Sequence, residues 1–192
     1  MCIRDRYVRD YSVSTAGQAL GIPATVTISG ASAYNNAYEA SSVQAFAAAG
    51  DPSLLRVAEV DYVKPEQMQS MEFGFRGKLS RTFTVDAAVY RNDFQDFINT
   101  QVVLSPLYGE VGDGGLSVLA MANQDFETWS SYTNSPAEIS SWGVSIGMAT
   151  KIFGNFDLSG SYTKAKLEFE QDLYPDFRTN WNTPEHKFKA QF

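Results

Sequence analysis

The sequence is poor in the residues that build reactive and metal-binding sites. Its 192 residues contain one cysteine, Cys2, and one histidine, His186. A lone cysteine cannot form an internal disulfide, and a lone histidine cannot supply a histidine-based metal cluster. A Ser-His-Asp triad would have no candidate histidine other than His186. The sequence therefore predicts no metal ligand, no cofactor and no catalytic residue, and we expect that the protein is not an enzyme.

Long apolar segments and excess positive charge are also absent. No run of about 18 apolar residues occurs, which excludes a membrane-spanning helix. Residues 1–6 lack the apolar centre of a secretory signal peptide, and we expect them to be a non-native leader on a piece of a longer protein. The 15 basic and 22 acidic residues give a net charge of −7, which argues against a nucleic-acid partner.

Strict alternation of apolar and polar side chains is the clearest pattern that the sequence does contain. Residues 71–90 form two such runs, joined by a short turn at 80–81. Alternation with period two predicts strands with one apolar and one polar face, and each run has about the 9–11 residues of a tilted bilayer-crossing strand. The apolar face carries Met71, Phe73, Phe75, Val85 and Val89. The polar face carries Glu72, Arg76, Asp86 and Tyr90.

The chain divides into two regions. Residues 7–68 lack sustained alternation, and we expect an extracellular loop region with two short helices. One helix is predicted from Ser41 or Ser42 to a stop at Gly50, and the other from Asp51 as N-cap to about Ala58.

Residues 69–192 are expected to hold about five barrel strands. They are predicted at about 69–79, 82 to 98 or beyond, 139–153, 156–170 and 186–192. Their connections are predicted as short turns near 80–81 and 154–155 and long loops at 105–138 and 171–184.

The order of the connections separates two all-β architectures. Successive antiparallel strands place alternate connections at opposite ends of a sheet, so the short turns lie at one end and the long loops at the other. Outer-membrane barrels show this segregation, whereas soluble sandwiches favour shorter strands and do not segregate their loops as a rule. The sequence therefore predicts an antiparallel up-and-down meander from the wall of a transmembrane barrel.

Aromatic side chains in the loop 105–138 are the candidates for ligand contact. These residues are Tyr108, Phe126, Trp129 and Tyr132. Aromatic rings on exposed loops often stack on sugars or aromatic chelators. Packing of the four rings on other loop residues is the alternative interpretation.

Acidic residues give weaker patterns. The pairs Asp93/Asp96 and Glu168/Glu170 have the residue type used in glycoside hydrolysis, but they lie at strand ends beside polar loops, which favours solvated surface charge. The segment 110–115 lacks the regularly spaced oxygen ligands of a calcium loop and is predicted to be a flexible turn.

Several stretches resemble the TonB-dependent outer-membrane receptors. VKPEQM at 63–68 followed by MEFGFRG at 71–77 resembles the L-K-P-E … E-x-G-x-(K/R)-G stretch of that family. The strand 85–98 and the segments 160–163 and 182–187 are similar to further parts of the same barrel. The loop from Tyr38 to Asp61 is similar to that of receptors from the Bacteroidota. Together these stretches cover about residues 38–192 in the order and spacing of the family.

The resemblance implies a barrel of about 22 strands in the outer membrane, closed by an N-terminal plug. It also implies TonB-energised import of a scarce siderophore, vitamin or glycan. The implied partners are outer-membrane lipid, TonB through the plug, and the small-molecule or glycan ligand.

The resemblance also places the two faces of the predicted strands. Phe73, Phe75, Val85 and Val89 would face lipid. The polar set Glu72, Arg76, Asp86 and Tyr90 would face the lumen or the plug, with support of the barrel wall by salt bridges as the alternative. Because the sequence contains neither plug nor TonB box, we expect a wall segment with its loops.

Two other functions stay open from the sequence. One is a secreted, non-catalytic β-sheet carbohydrate-binding module, and the other is a passive outer-membrane porin.

Overall fold

The computed structural model describes residues 7–152, 154, 156–179 and 181–192, so the leader expected at residues 1–6 lies outside the described residues. The first elements along the chain are β1 (Val8–Ser12), α1 (Thr15–Ala19), β2 (Thr25–Ser29), α2 (Ser32–Asn35), β3 (Tyr38–Glu39) and α3 (Ala40–Ala49). A short 3₁₀ helix at Pro52–Leu54 follows. The next elements are β4 (Gln67–Lys78), β5 (Phe83–Gln95), β6 (Ile98–Pro106), α4 (Leu116–Ala122) and β7 (Phe126–Asn134). The last are β8 (Ile139–Ile152), β9 (Phe156–Glu168), a 3₁₀ helix at Gln171–Leu173, β10 (Phe177–Arg178) and β11 (His186–Gln191).

The longest sheet contains five antiparallel strands in the order β11-β9-β8-β5-β4. Neighbouring strands of this sheet also follow one another in sequence, except that β6 and β7 intervene between β5 and β8, and β10 intervenes between β9 and β11. The predicted fold class, an all-β antiparallel meander with short helices in the N-terminal region, is confirmed. Within the described residues the sheet is open, with β4 and β11 as its edges.

The connections of this sheet alternate between short and long. The turn from β4 to β5 closes with the Leu79 N–H donating to the Phe83 carbonyl at 2.9 Å. The Ser80 hydroxyl oxygen accepts a hydrogen bond from the Phe83 N–H at 3.1 Å, which is the local bonding that favours serine in turns. Gly154 lies in the other short turn, at a φ of 76° that glycine adopts without strain.

The long connection after β5 contains more regular structure than the sequence predicts. The strand predicted to continue through Ile98 ends at Gln95, because Asp96 adopts a left-handed φ of 52° that aspartate tolerates better than most residues. The next strand, β6, pairs with β7 along its whole length, from Ile98 opposite Asn134 to Pro106 opposite Phe126. The segment predicted as the loop 105–138 therefore contains α4 and β7. β7 forms because its backbone pairs with β6, and the side-chain pattern of the sequence does not predict that pairing.

The described residues form two compact units. The first unit comprises residues 7–64, 98–134 and 171–179, and the second comprises 65–97, 135–170 and 181–192. The second unit is the five-stranded sheet. The first unit holds three clusters of buried apolar side chains, centred on Phe46 and Leu104, on Val103, and on Val13 and Leu107. The first unit therefore has hydrophobic cores of its own.

The helices near residue 50 differ in detail from the prediction. α3 begins at Ala40 with Glu39 at the N-cap position, one or two residues before the predicted serines, and it ends at Gly50, which is left-handed at φ 71°. Asp51 does cap the following turn, accepting from the Ser53 N–H at 2.9 Å, but that turn ends at Leu54. The chain becomes extended there because the Ala58 N–H bonds to the Ala37 carbonyl.

No helix in the described part of the chain is long and apolar enough to cross a membrane.

Candidate functional site

The five-stranded sheet presents one face of apolar side chains. One row across the sheet contains, at directly paired positions, Phe75, Ala87, Ile146, Tyr162 and Phe188. Phe188 is 76% exposed and Phe73, in the next row, is 68% exposed. Phe73, Phe75, Val85 and Val89 all lie on this face. A continuous patch of large, exposed apolar side chains marks an interaction surface.

The polar boundary of this apolar face differs from strand to strand. At the level of Met71 on β4, the face carries Trp142 on β8 but Arg91 on β5 and Lys166 on β9. On β11 the apolar residues end at Phe188, two rows lower, and the row between carries His186 opposite Lys164.

The opposite face of the sheet is polar, and it carries the four residues predicted for the lumen side. Arg76 lies opposite Asp86, with 3.6 Å between Nε and Oδ2, and Glu72 lies opposite Tyr90. The ring of Tyr90 covers Gly143 so closely that a Cβ at that glycine would overlap it. An open cleft of about 770 Å³ borders Arg76, Asp86 and Lys189. The four candidates therefore share one face, and two of them form an ion pair.

The Arg76–Asp86 pair is expected to add little stability. Both side chains are more than half exposed, at 80% and 54%, and pairs of this kind contribute about 0–1 kcal/mol. We expect the double-mutant cycle of Arg76→Ala and Asp86→Ala to give a coupling energy below about 1 kcal/mol in unfolding by urea. A coupling above about 2 kcal/mol would show that the pair is shielded from water in the assembled protein.

The four aromatic candidates in the first unit differ in their surroundings. Tyr108 is buried, and its hydroxyl donates to Asp125 Oδ2 at 2.9 Å, so it belongs to the core. Burial raises the pKa of Tyr108, and the nearby Asp125 contributes in the same direction. Phe126 and Trp129 are half-buried against core clusters. Tyr132 is 59% exposed and is the one of the four whose ring is largely accessible.

Two aspartates that sequence reasoning did not select hold helix N-termini in the first unit. Asp125 accepts from both the N–H and the hydroxyl of Ser14, the N-cap of α1, at 2.7 and 2.8 Å. Asp176 accepts from both the N–H and the hydroxyl of Ser41, in the first turn of α3, at 2.7 Å each. The partners are 111 and 135 residues apart in sequence, so no local pattern could reveal them.

The acidic turn at 110–115 is organised by its own backbone. Asp113 Oδ1 accepts from the Gly115 N–H at 2.9 Å and from the Ser117 hydroxyl at 2.8 Å. Both hydrogen bonds hold the pKa of Asp113 below its ordinary value, and the bond from the Gly115 N–H has the larger effect. Ser117 is also hydrogen-bonded to the Tyr38 hydroxyl at 2.8 Å. The carboxylate is therefore engaged in ordering the loop before α4.

The acidic pairs near the strand ends have local partners as well. Asp93 pairs with Arg91 at 3.0 Å, and Glu168 accepts from the Ser140 hydroxyl and the Trp142 indole at 3.2 Å each. Among the described residues, no group of three or more His, Cys, Asp and Glu side chains could hold a metal ion.

Comparison with known proteins agrees with this geometry. The sequence profile of the family described as TonB dependent receptor-like, beta-barrel, matches residues 11–192. No curated protein and no solved structure matches the chain. The profile covers nearly the whole sequence, and long antiparallel strands with one apolar and one polar face are typical of a barrel wall. The chain therefore belongs to the TonB dependent receptor-like β-barrel family, whose members are transport receptors of the outer membrane.

Proposed function

We propose that this chain is part of a receptor that captures a scarce ligand at the cell surface and imports it with energy transmitted by TonB. The family match over residues 11–192 is the observation that carries the proposal. In this assignment the apolar face of the five-stranded sheet contacts lipid. The polar face with Glu72, Arg76, Asp86 and Tyr90 faces the lumen, which would hold the plug through which the receptor contacts TonB.

The first unit supplies the capture surface in this proposal. It consists of the excursions that precede β4 and that join β5 to β8 and β9 to β11. Outer-membrane barrels have their longer loops outside the cell, where a ligand first arrives. Tyr132 offers the most exposed ring of the four aromatic candidates, while Phe126 and Trp129 present partial surfaces. A siderophore, a vitamin or a glycan would each offer a group that can stack on such a ring.

Uptake with and without TonB tests the proposal directly. We expect cells that express the receptor to accumulate one ligand from a panel of radiolabelled ferric siderophores, cobalamin and oligosaccharides, and to lose that uptake when TonB is deleted. The resemblance of the stretch from Tyr38 to Asp61 to Bacteroidota receptors supports the choice of a host from that group. Tyr132→Ala is expected to raise the half-saturating ligand concentration several-fold, since a stacked aromatic pair is typically worth about 0.5–1.5 kcal/mol beyond its buried area.

Each alternative function gives a different result. A passive porin would keep its uptake in the strain without TonB. A secreted carbohydrate-binding module would be recovered in the aqueous fraction rather than with the outer membrane. Either result would contradict the proposed function.

A further inference from the structure

The first unit contains an apolar pocket that the proposed function does not use. Its volume is about 560 Å³, and it lies between α3, the paired strands β6 and β7, and the C-terminal end of α4. Its walls include Val43, Phe46, Leu104, Met121 and Phe126. The first four of these side chains are at most 8% exposed. Small-molecule sites span about 300–1,000 Å³, so the pocket has the size of a ligand site.

The lining of the pocket excludes charged groups. Among the residues that the structure describes, no Lys, Arg, Asp or Glu lines it. A charged group of a ligand would find no counter-charge there. The polar lining residues are Gln44, Gln124 and Thr128, whose side chains are uncharged. All three are exposed, and none makes a side-chain hydrogen bond within the part of the chain that the structure describes.

Gln124 occupies a backbone position that favours glycine. It follows α4 with a left-handed φ of 60°. The Gln124 N–H donates to the Met121 carbonyl at 3.2 Å, and the Asp125 N–H donates to the Ala120 carbonyl at 2.8 Å. This is the Schellman arrangement, in which the left-handed residue is usually glycine because any Cβ is unfavourable there. Glutamine at this position places an unpartnered amide beside the pocket despite the backbone cost.

We propose that this pocket binds a small uncharged molecule with an aliphatic or aromatic body and an amide or hydroxyl group. The body fills the space between α3 and the paired strands β6 and β7. The polar group forms hydrogen bonds with the Gln124 amide and the Thr128 hydroxyl. The inference rests on the proposed function only in placing the first unit outside the cell, because binding at equilibrium requires neither TonB nor transport.

A matched pair of fluorinated probes tests the assignment on the full receptor in lipid nanodiscs. The uncharged probe is N-acetyl-4-fluorophenylalaninamide, and its partner N-acetyl-4-fluorophenylalanine has the same body with a carboxylate. Fluorine NMR line broadening, corrected with empty nanodiscs, gives the dissociation constant of each. We expect the amide to bind at least about tenfold more tightly than the carboxylate, because the pocket offers the carboxylate no cation.

Neighbouring alanines of α3 supply a matched pair of variants. Ala47 lines the pocket and Ala48 does not, while both are exposed on the same helix. We expect Ala47→Phe to occupy the pocket and weaken binding of the amide probe at least about tenfold, and Ala48→Phe to leave it unchanged. Equal affinities of the two variants would overturn the proposal.

Substitution of Gln124 separates binding from folding. Gln124→Gly is expected to raise the melting temperature of the first unit, since glycine suits the left-handed position, and to weaken probe binding about 3–10-fold, since a hydrogen bond is lost. A stabilised variant with unchanged affinity would overturn the role of the glutamine. Absence of broadening with the unsubstituted receptor would overturn the small-molecule assignment and leave a protein segment as the occupant of the pocket.

Discussion

Replacement of Ile146 by arginine is expected to lower the free energy of unfolding in lipid by about 2–4 kcal/mol. Ile146 lies in the middle of the apolar row, between Ala87 and Tyr162, and is 37% exposed. In a barrel wall that exposed surface contacts hydrocarbon. An arginine there must leave water for the centre of the bilayer or bend its side chain to the headgroups.

The adjacent residue provides the control. Ser145 lies on the opposite face of β8, between Ala88 and Thr163. Because strand side chains alternate between faces, Ser145→Arg introduces the same charge into the same strand but directs it away from lipid. We expect this variant to change the free energy of unfolding by less than about 1 kcal/mol.

Urea unfolding of the receptor in lipid vesicles measures both variants, and the yield of folded protein in the outer membrane provides a second comparison. A larger effect of Ser145→Arg than of Ile146→Arg would reverse the assignment of the two faces. Equal effects would indicate that neither face contacts lipid. Members of the family are located in the outer membrane, and the two variants distinguish which face of this particular sheet contacts the bilayer.

The second unit could be predicted well from sequence because its information is local. Alternation in β4 and β5 is a property of successive residues, so it identifies which side chains share a face without knowledge of their partners. Met71, Phe73 and Phe75 on one face, and Glu72 and Arg76 on the other, follow from that alternation alone. The family predicted from these stretches is confirmed by the match over residues 11–192.

The first unit was less predictable because its structure depends on distant contacts. β7 shows no strict alternation of apolar and polar residues and exists through its pairing with β6, and the end of β5 depends on one left-handed aspartate. The pocket is walled by residues from 40 to 128, which no window of the sequence brings together. The burial of the aromatic candidates could not be predicted from sequence for the same reason. Tyr108 and Tyr132 are both tyrosines in the segment predicted as a loop, but Tyr108 lies in the core and Tyr132 is exposed.

Removal of the Asp125 carboxylate is expected to cause the largest loss of stability in the first unit. The carboxylate is 4% exposed and accepts three hydrogen bonds, from the N–H and hydroxyl of Ser14 and from the hydroxyl of Tyr108. Asp125→Ala leaves these three donors without their acceptor, the Tyr108 hydroxyl in a buried site and the two Ser14 groups in a partly buried one. Buried donors without partners cost about 1–3 kcal/mol each, so we expect a loss of about 3–5 kcal/mol after partial rearrangement.

Hydrogen exchange is the suitable measurement, because a protein with two units does not unfold in one step. We expect the amides of Ser14 to Gly17 to exchange about 10²–10³-fold faster in Asp125→Ala, while those of β8 are unchanged. Asp125→Asn retains one acceptor oxygen and should show an intermediate effect. Asp51→Ala is the control, because Asp51 also caps a turn, at 2.9 Å from the Ser53 N–H, but lies in solvent.

The exchange pattern also tests whether the first unit is held together by this contact. Asp125 follows α4 and the left-handed Gln124, and Ser14 begins α1, so the bond joins the N-terminal segment to the excursion after β5. If the carboxylate stabilises the unit as a whole, faster exchange should extend from α1 to the β1–β2 hairpin and to α4. Acceleration confined to Ser14 and its immediate neighbours would instead show a local cap, and the larger loss of stability would then be excluded.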